Sequence, residues 1–126
     1  RIEDFGKVSR VIQNRLDQGM LLQMDSTAQY GMGQHDDGTV WSTDEALADD
    51  NPWNTYVHEG LPAGPTSNPR RDAIAAALNP EPGDWLYFVA VNLDTRESVF
   101  TSTVEDHDAA VAQLNEWCIA NPGRGC

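Results

Sequence analysis

The stretch WLYFVAVNLDTRESVFTSTVEDHDAAVAQLNEWC, residues 85–118, decides the fold. Trp85–Val91 is continuously apolar, the pattern of a strand covered on both faces. Asn92–Arg96 carries turn residues, and Ser98–Thr101 reads as the returning partner strand. Thr103, followed three residues later by Asp106, starts a final helix with a hydroxyl at its N-cap. Along that helix Ala110, Val111, Leu114, Trp117 and Cys118 recur at helical spacing and form its apolar stripe. A hairpin running into a helix, with no strand–helix–strand repeat elsewhere, predicts an α+β fold of several helices packed on a small antiparallel β-hairpin.

Working outward, residues 4–18 carry Phe5, Val8, Val11, Ile12 and Leu16 at steps of three and four, which predicts an amphipathic helix stopped by Gly19. Asp25–Ser26–Thr27 offers caps for a short helix reaching Tyr30. Residues 31–41 (GMGQHDDGTVW) read as a loop or ragged hairpin. Ser42 with Glu45 three residues on has the form of a capping box for another short helix. From Asn51 to Pro69 the chain holds four of its seven prolines, at 52, 62, 65 and 69, and predicts a long structured loop. Asn68–Pro69 suits the N-cap and first position of a helix over 69–78, which Asn79–Pro80 closes.

Composition narrows the function classes. The chain has 126 residues, 40% hydrophobic, enough for one domain over 1–126 with its own core. Its 20 acidic against 8 basic residues give a net charge of −12. That balance argues against a nucleic-acid partner, because phosphate backbones are held by Lys and Arg. No apolar run approaches the roughly 18–20 residues of a membrane span. The chain starts at Arg1 without Met or a signal-peptide pattern, and is expected to be a piece of a longer protein.

Few chemistries survive inspection of the side chains. His35, His58 and His107 are far apart and none pairs at i,i+4, so no metal site is expected. A pyridoxal enzyme needs a Schiff-base lysine, and Lys7 is the only lysine. No cofactor is expected. Cys118 and Cys126 are spaced for a short disulfide loop that implies an oxidising compartment; the alternative is a buried Cys118 and a reduced tail thiol. The side chains do include a set suited to sugars. Asn14, Gln23, Asp25, Asn54, Thr55 and Asn68 offer amides, hydroxyls and a carboxylate. Tyr30, Trp53, Tyr56 and Tyr87 offer flat faces, and glycan grooves combine both kinds. Caps, turns and core aromatics are the structural alternative for each.

The order of motifs is sharper than the composition. KVSRVIQNRL (7–16), GMLLQMDSTAQYGMG (19–33), NPWNTYVHEGLPAGPTSNP (51–69), AIAAALNP (73–80), LYFVAV (86–91) and the Phe100 to His107 segment resemble, in order and spacing, the endolytic murein transglycosylases, the MltG- or YceG-like family. Ser26 stands where that family often has Pro, and Ala63 replaces the second Pro of its G-L-P-P-G loop. Glu59 lies within a matching motif but reads as a surface charge.

The resemblance implies the C-terminal portion of a YceG-like catalytic domain. Its parent would be a lytic transglycosylase acting outside the cytoplasmic membrane and anchored there by an N-terminal helix. Such an enzyme cuts nascent peptidoglycan between N-acetylmuramic acid and N-acetylglucosamine and leaves 1,6-anhydro ends. One carboxyl group serves first as acid and then as base for that reaction. The family's glutamate precedes the Lys7 segment by about ten residues, so it is expected upstream of Arg1 and the piece alone is expected to be inactive. No catalytic residue is therefore assigned in this chain. Gln23, Asp25, Tyr30, Asn54, Tyr56 and Asn68 are the substrate-binding candidates, with Arg15, Arg70 and Arg71 as further groups for the anionic glycan. Glycan strands are the implied partner, with peptidoglycan synthases beside them. The competing reading is a non-catalytic glycan-binding or wall-assembly module.

Overall fold

A computed structural model describes residues 1–33 and 41–126. The element order is a 3-10 turn (Ile2–Asp4), α1 (Phe5–Gln18), α2 (Asp25–Gly31), α3 (Asp44–Ala48), α4 (Arg71–Leu78), β1 (Tyr87–Asn92), β2 (Glu97–Thr101) and α5 (Val104–Ala120). Among the described residues, helices with one antiparallel hairpin make the α+β class expected from the sequence. The chain divides into two compact units, one of Arg1–Asn14 with Pro69–Cys126 and the other of Arg15–Asn68. The loop or ragged hairpin expected over 31–41 falls largely on residues 34–40, outside the described residues.

In the first unit β1 and β2 pair with Phe88 opposite Phe100 and Val89 opposite Val99, with an irregularity between Ala90 and Asn92. The Asn92 side-chain carbonyl closes the turn by accepting from the backbone N–H groups of Asp94 and Thr95, at 3.0 and 3.1 Å. Helix α5 packs on both strands and buries Ala110 and Leu114. Every residue of β1 is half-buried, so the expectation of a strand fully covered on both faces is corrected. Among the described residues the sheet has two strands, too few to enclose either one completely. The expected cap of α5 is present, with the Thr103 hydroxyl accepting from the Asp106 N–H at 3.2 Å.

The first part of α1 belongs to the same unit and buries Val11. Arg10 donates to the Glu81 carbonyl at 2.8 Å, and the Asn14 amide donates to the carbonyls of Gly83 and Trp85 at 3.2 and 2.9 Å. The Asn14 amide nitrogen thus holds that loop against the helix. The ammonium of Lys7 lies 5.5 Å from the ring centres of both Trp85 and Phe100, within cation–π range. Cys118 and Cys126 are joined as a disulfide, Cα to Cα 5.8 Å, closing the alternative of a free tail thiol. The tail it holds sets Arg124 3.0 Å from Asp94 in the hairpin turn.

Two cap assignments in this unit and the next are corrected. Helix α4 begins at Arg71 with Arg70 as its N-cap and no side-chain cap, so Asn68–Pro69 does not start it. Helix α3 is capped by Thr43, whose hydroxyl accepts from the Ala46 N–H at 3.1 Å, and not by Ser42. One hydroxyl suffices for the cap, which frees its neighbour for another contact.

Candidate functional site

The second unit begins at Arg15, in the last turn of α1. Gly19, at φ +68°, supports a Schellman ending in which the N–H groups of Gly19 and Met20 bond the carbonyls of Leu16 and Arg15 at 3.2 and 2.9 Å. That turn sends the chain through residues 20–24 into α2. The N-cap of α2 is Met24, with no side-chain cap, so the expected role of Asp25, Ser26 and Thr27 as caps is corrected. The Met24 N–H instead bonds the Thr55 hydroxyl at 2.9 Å, and the Thr27 hydroxyl bonds the same atom at 2.8 Å. Asp25 is therefore free of capping duty and turns to other partners.

Those partners come from two distant segments. The Tyr56 hydroxyl donates to one oxygen of Asp25. The Ser42 hydroxyl donates to the other at 2.7 Å, and the Gln29 amide donates to Ser42 at 2.8 Å. Asp25 and Gln29 are four apart on α2 and so lie on one face of the helix. Burial, reinforced by the neighbouring Asp25 carboxylate, pushes the Tyr56 phenol well above the usual tyrosine range, while Arg15 opposes the shift. The phenol is held as a neutral donor to the carboxylate, and its oxygen retains lone pairs that can accept from a ligand.

Beneath this pair lies a polar scaffold. Asn54 is fully buried, and its amide donates to the carbonyls of Ala46, Leu47 and Asp49 at 3.3, 3.1 and 2.7 Å. Its side-chain oxygen accepts the Tyr56 N–H at 2.9 Å. With no exposed atom and every amide group engaged, Asn54 ties the end of α3 to the loop and positions Tyr56. The sequence offers Asn54 as a sugar ligand, and here its side chain is spent on protein groups. Arg15 is also buried, and its guanidinium donates to the carbonyls of Leu21 and Leu22 at 2.8 and 3.2 Å and to the Gln23 side chain at 3.4 Å. It braces the segment before α2 instead of facing a glycan.

Gln23 is exposed and sits at φ +52°, a left-handed backbone that costs a non-glycine residue of order 1 kcal/mol or more. The Thr55 carbonyl, accepting the Gln23 N–H at 3.1 Å, holds it there. Tyr30 is half exposed, with its ring 5.5 Å from that of Trp53 and tilted by 55°. The Trp53 indole N–H donates to the Gly64 carbonyl at 3.1 Å, which pins the Gly60–Pro65 loop beside the aromatic pair. Gly31 at the end of α2 is required by close approach, because a Cβ there would lie 1.6 Å from the Asn51 side-chain oxygen.

Of the six candidates, Asp25 and Tyr56 are in direct contact, and Asn54 supports Tyr56 from behind. Gln23 joins them through Thr55, and Tyr30 presents its ring on Trp53. Asn68 is exposed and, among the described residues, shares no hydrogen bond with the other five. Ser42 and Gln29 were not among the candidates. The i,i+4 relation of Asp25 and Gln29 was a usable signal; the approach of Ser42 was not, since a good local explanation as a cap concealed it. Among the described residues no group of three or more His, Cys, Asp or Glu side chains is gathered to hold a metal ion.

The sequence profile of the YceG-like family matches residues 1–113. The chain belongs to the YceG-like family. Its matched region holds every residue of the Asp25 network as well as the hairpin. A relative named endolytic murein transglycosylase, from Bacillus subtilis (strain 168), is 39% identical over 107 residues, which is 85% of this chain and 28% of the relative. A crystal structure of a yceG-like protein from Listeria monocytogenes is similar with a TM-score of 0.74 and 41% identity, over 81% of this chain and 32% of that one. This YceG-like chain thus spans about a third or less of the length of the proteins it matches.

Proposed function

We propose that the chain contributes part of the glycan site of a lytic transglycosylase. In this reading the intact protein cleaves peptidoglycan between N-acetylmuramic acid and N-acetylglucosamine and leaves 1,6-anhydro ends. The observation that carries it is the Asp25–Tyr56 pair, braced by Ser42 and Asn54, inside the stretch that matches the YceG-like family. The 39% identity to a protein named endolytic murein transglycosylase supports the reaction class.

The chemistry uses one carboxyl group twice. It first protonates the glycosidic oxygen, then accepts the proton of the sugar's C6 hydroxyl as that oxygen closes on C1. The bond from C1 to the leaving sugar breaks, the bond from C1 to O6 forms, and water is not consumed. Asp25 is ill placed for that task, since one oxygen accepts from Tyr56 and the other from Ser42. Its role in this reading is to orient Tyr56, and the acid/base glutamate belongs to chain preceding Arg1. Gln23 and Asn68 supply exposed amides for hydroxyl or acetamido groups, and Tyr30 supplies a face for a sugar ring. Single-domain organisation over 1–126, action outside the cytoplasmic membrane, an N-terminal anchor and work beside peptidoglycan synthases belong to the same proposal. The disulfide supports the extracytoplasmic setting, because such bonds persist in oxidising compartments.

The test is incubation of the N-terminally extended protein with purified peptidoglycan, followed by mass analysis. Products ending in 1,6-anhydro-muramic acid are expected. Products with ordinary reducing ends would mean hydrolysis, and uncleaved glycan that remains bound would mean a binding or assembly module.

A further inference from the structure

We propose that Ser42 and Gln29 are positioning residues of the glycan site, forming a clamp that fixes the Asp25 carboxylate so that Tyr56 presents its phenol oxygen to a glycan hydroxyl or acetamido N–H. The inference rests on the glycan-site reading above and adds two residues and a direction of hydrogen bonding to it.

Two distant segments converge on the Asp25 carboxylate, and a residue of its own helix backs one of them. Tyr56 reaches it from the 51–69 loop, Ser42 from the residue before the α3 cap, and Gln29 completes the chain from the next turn of α2. Ser42 has no capping task, since Thr43 performs it. A serine that only needed solvation would not require one side-chain partner for its donor and a second for its acceptor. Here the Ser42 hydroxyl gives its proton to Asp25 and receives one from Gln29, so its single rotatable bond is fixed by both neighbours.

The order of donors has a consequence at Tyr56. Asp25 is ringed by donors and the phenol proton points at it, so the phenol oxygen is left to act only as an acceptor. Donation to a carboxylate enriches that oxygen in electron density and strengthens it as an acceptor. Glycan strands of peptidoglycan present donors in quantity, as hydroxyl and acetamido N–H groups. Without the clamp the Asp25 side chain can rotate, and Tyr56 loses a fixed partner.

The experiment uses this 126-residue chain with tyrosine labelled by carbon-13 at Cζ, a position sensitive to hydrogen bonding by the phenol. The Tyr56 resonance is identified by its loss in Tyr56→Phe. The ligand probe is peptide-free glycan strands of alternating N-acetylglucosamine and N-acetylmuramic acid. Ser42→Ala is expected to move the Tyr56 resonance toward that of a solvated phenol and to weaken strand binding about tenfold, the scale of one hydrogen bond. Ser42→Thr, which keeps the hydroxyl, is expected to restore both. Gln29→Leu is expected to give a smaller change in the same direction, and it carries the test if Ser42→Ala does not fold.

An unmoved Tyr56 resonance in Ser42→Ala, or a Ser42→Thr variant as impaired as Ser42→Ala, overturns the proposal. So does a Ser42→Ala variant that shows the resonance shift but binds glycan strands as wild type does, because the clamp then positions nothing for that ligand. Release of anhydro ends by the extended protein is a separate measurement, so the reaction and the clamp can fail independently.

Discussion

The Tyr56 hydroxyl donates to the carboxylate of Asp25 across 31 residues of sequence, joining the first turn of α2 to the proline-rich loop. Neither residue is fully buried, yet the pair is enclosed enough to raise the phenol's affinity for its proton, by desolvation first and by the carboxylate second.

That shift has a signed consequence for stability. The folded phenol holds its proton more tightly than the unfolded one, whose ordinary value is about 10. The contribution is therefore whole below about pH 10 and is lost as pH rises above it, where only the unfolded state releases the proton. Urea midpoints measured from about pH 9 to pH 11 should fall more steeply for wild type than for Tyr56→Phe. Parallel slopes would remove the claim that the contact perturbs Tyr56.

Asn54 makes the opposite kind of prediction. Its side chain is fully buried and joins three carbonyls and one N–H. Asn54→Ala leaves those groups without partners and should cost about 2–3 kcal/mol, read from urea unfolding. A variant of wild-type stability with impaired glycan binding would return Asn54 to the list of substrate contacts.

Gln23 separates backbone from side chain. Its φ of +52° suits glycine, so Gln23→Gly should hold the conformation with little loss of stability, whereas Gln23→Ala keeps the strain. If the amide contacts glycan, both variants should weaken strand binding by a similar factor in titration calorimetry. Equal binding by wild type and both variants would leave Gln23 with a backbone role only.

The disulfide bears on the first unit. Opening the short Cys118–Cys126 loop should destabilise the chain by about 2.5 kcal/mol on the loop-entropy scale. The Tyr56 carbon-13 resonance should stay in place, because the pair lies in the other unit. Chemical denaturation with and without reductant measures the first effect and the labelled spectrum the second.

What could be read from the sequence follows from how local each signal is. Helix α1, its Gly19 stop, the β1–β2 turn and the Thr103 cap depend on residues within a few positions of one another, and all four are present. Ser42 and Asn68 show the limit of that reasoning. Both have good cap chemistry, but Thr43 and Arg70 occupy the cap positions, and a sequence offers no way to choose between adjacent hydroxyls or to place a helix start within two residues. Asn54 and Tyr56 are two apart in one motif and chemically equal as sugar ligands. Only packing buries the first among backbone carbonyls and sets the second against Asp25. The role of Arg15 was hidden for the same reason, since a buried guanidinium and an exposed one look alike in sequence.

The most direct test compares the N-terminally extended wild type with its Tyr56→Phe variant on purified peptidoglycan, counting 1,6-anhydro ends by mass spectrometry. Wild type should release them. Tyr56→Phe should release about tenfold fewer, the scale of one hydrogen bond to the glycan, while its unfolding free energy stays within about 1.5 kcal/mol of wild type. Equal release by the two proteins, or no anhydro ends from wild type, would contradict a glycan site built on Tyr56.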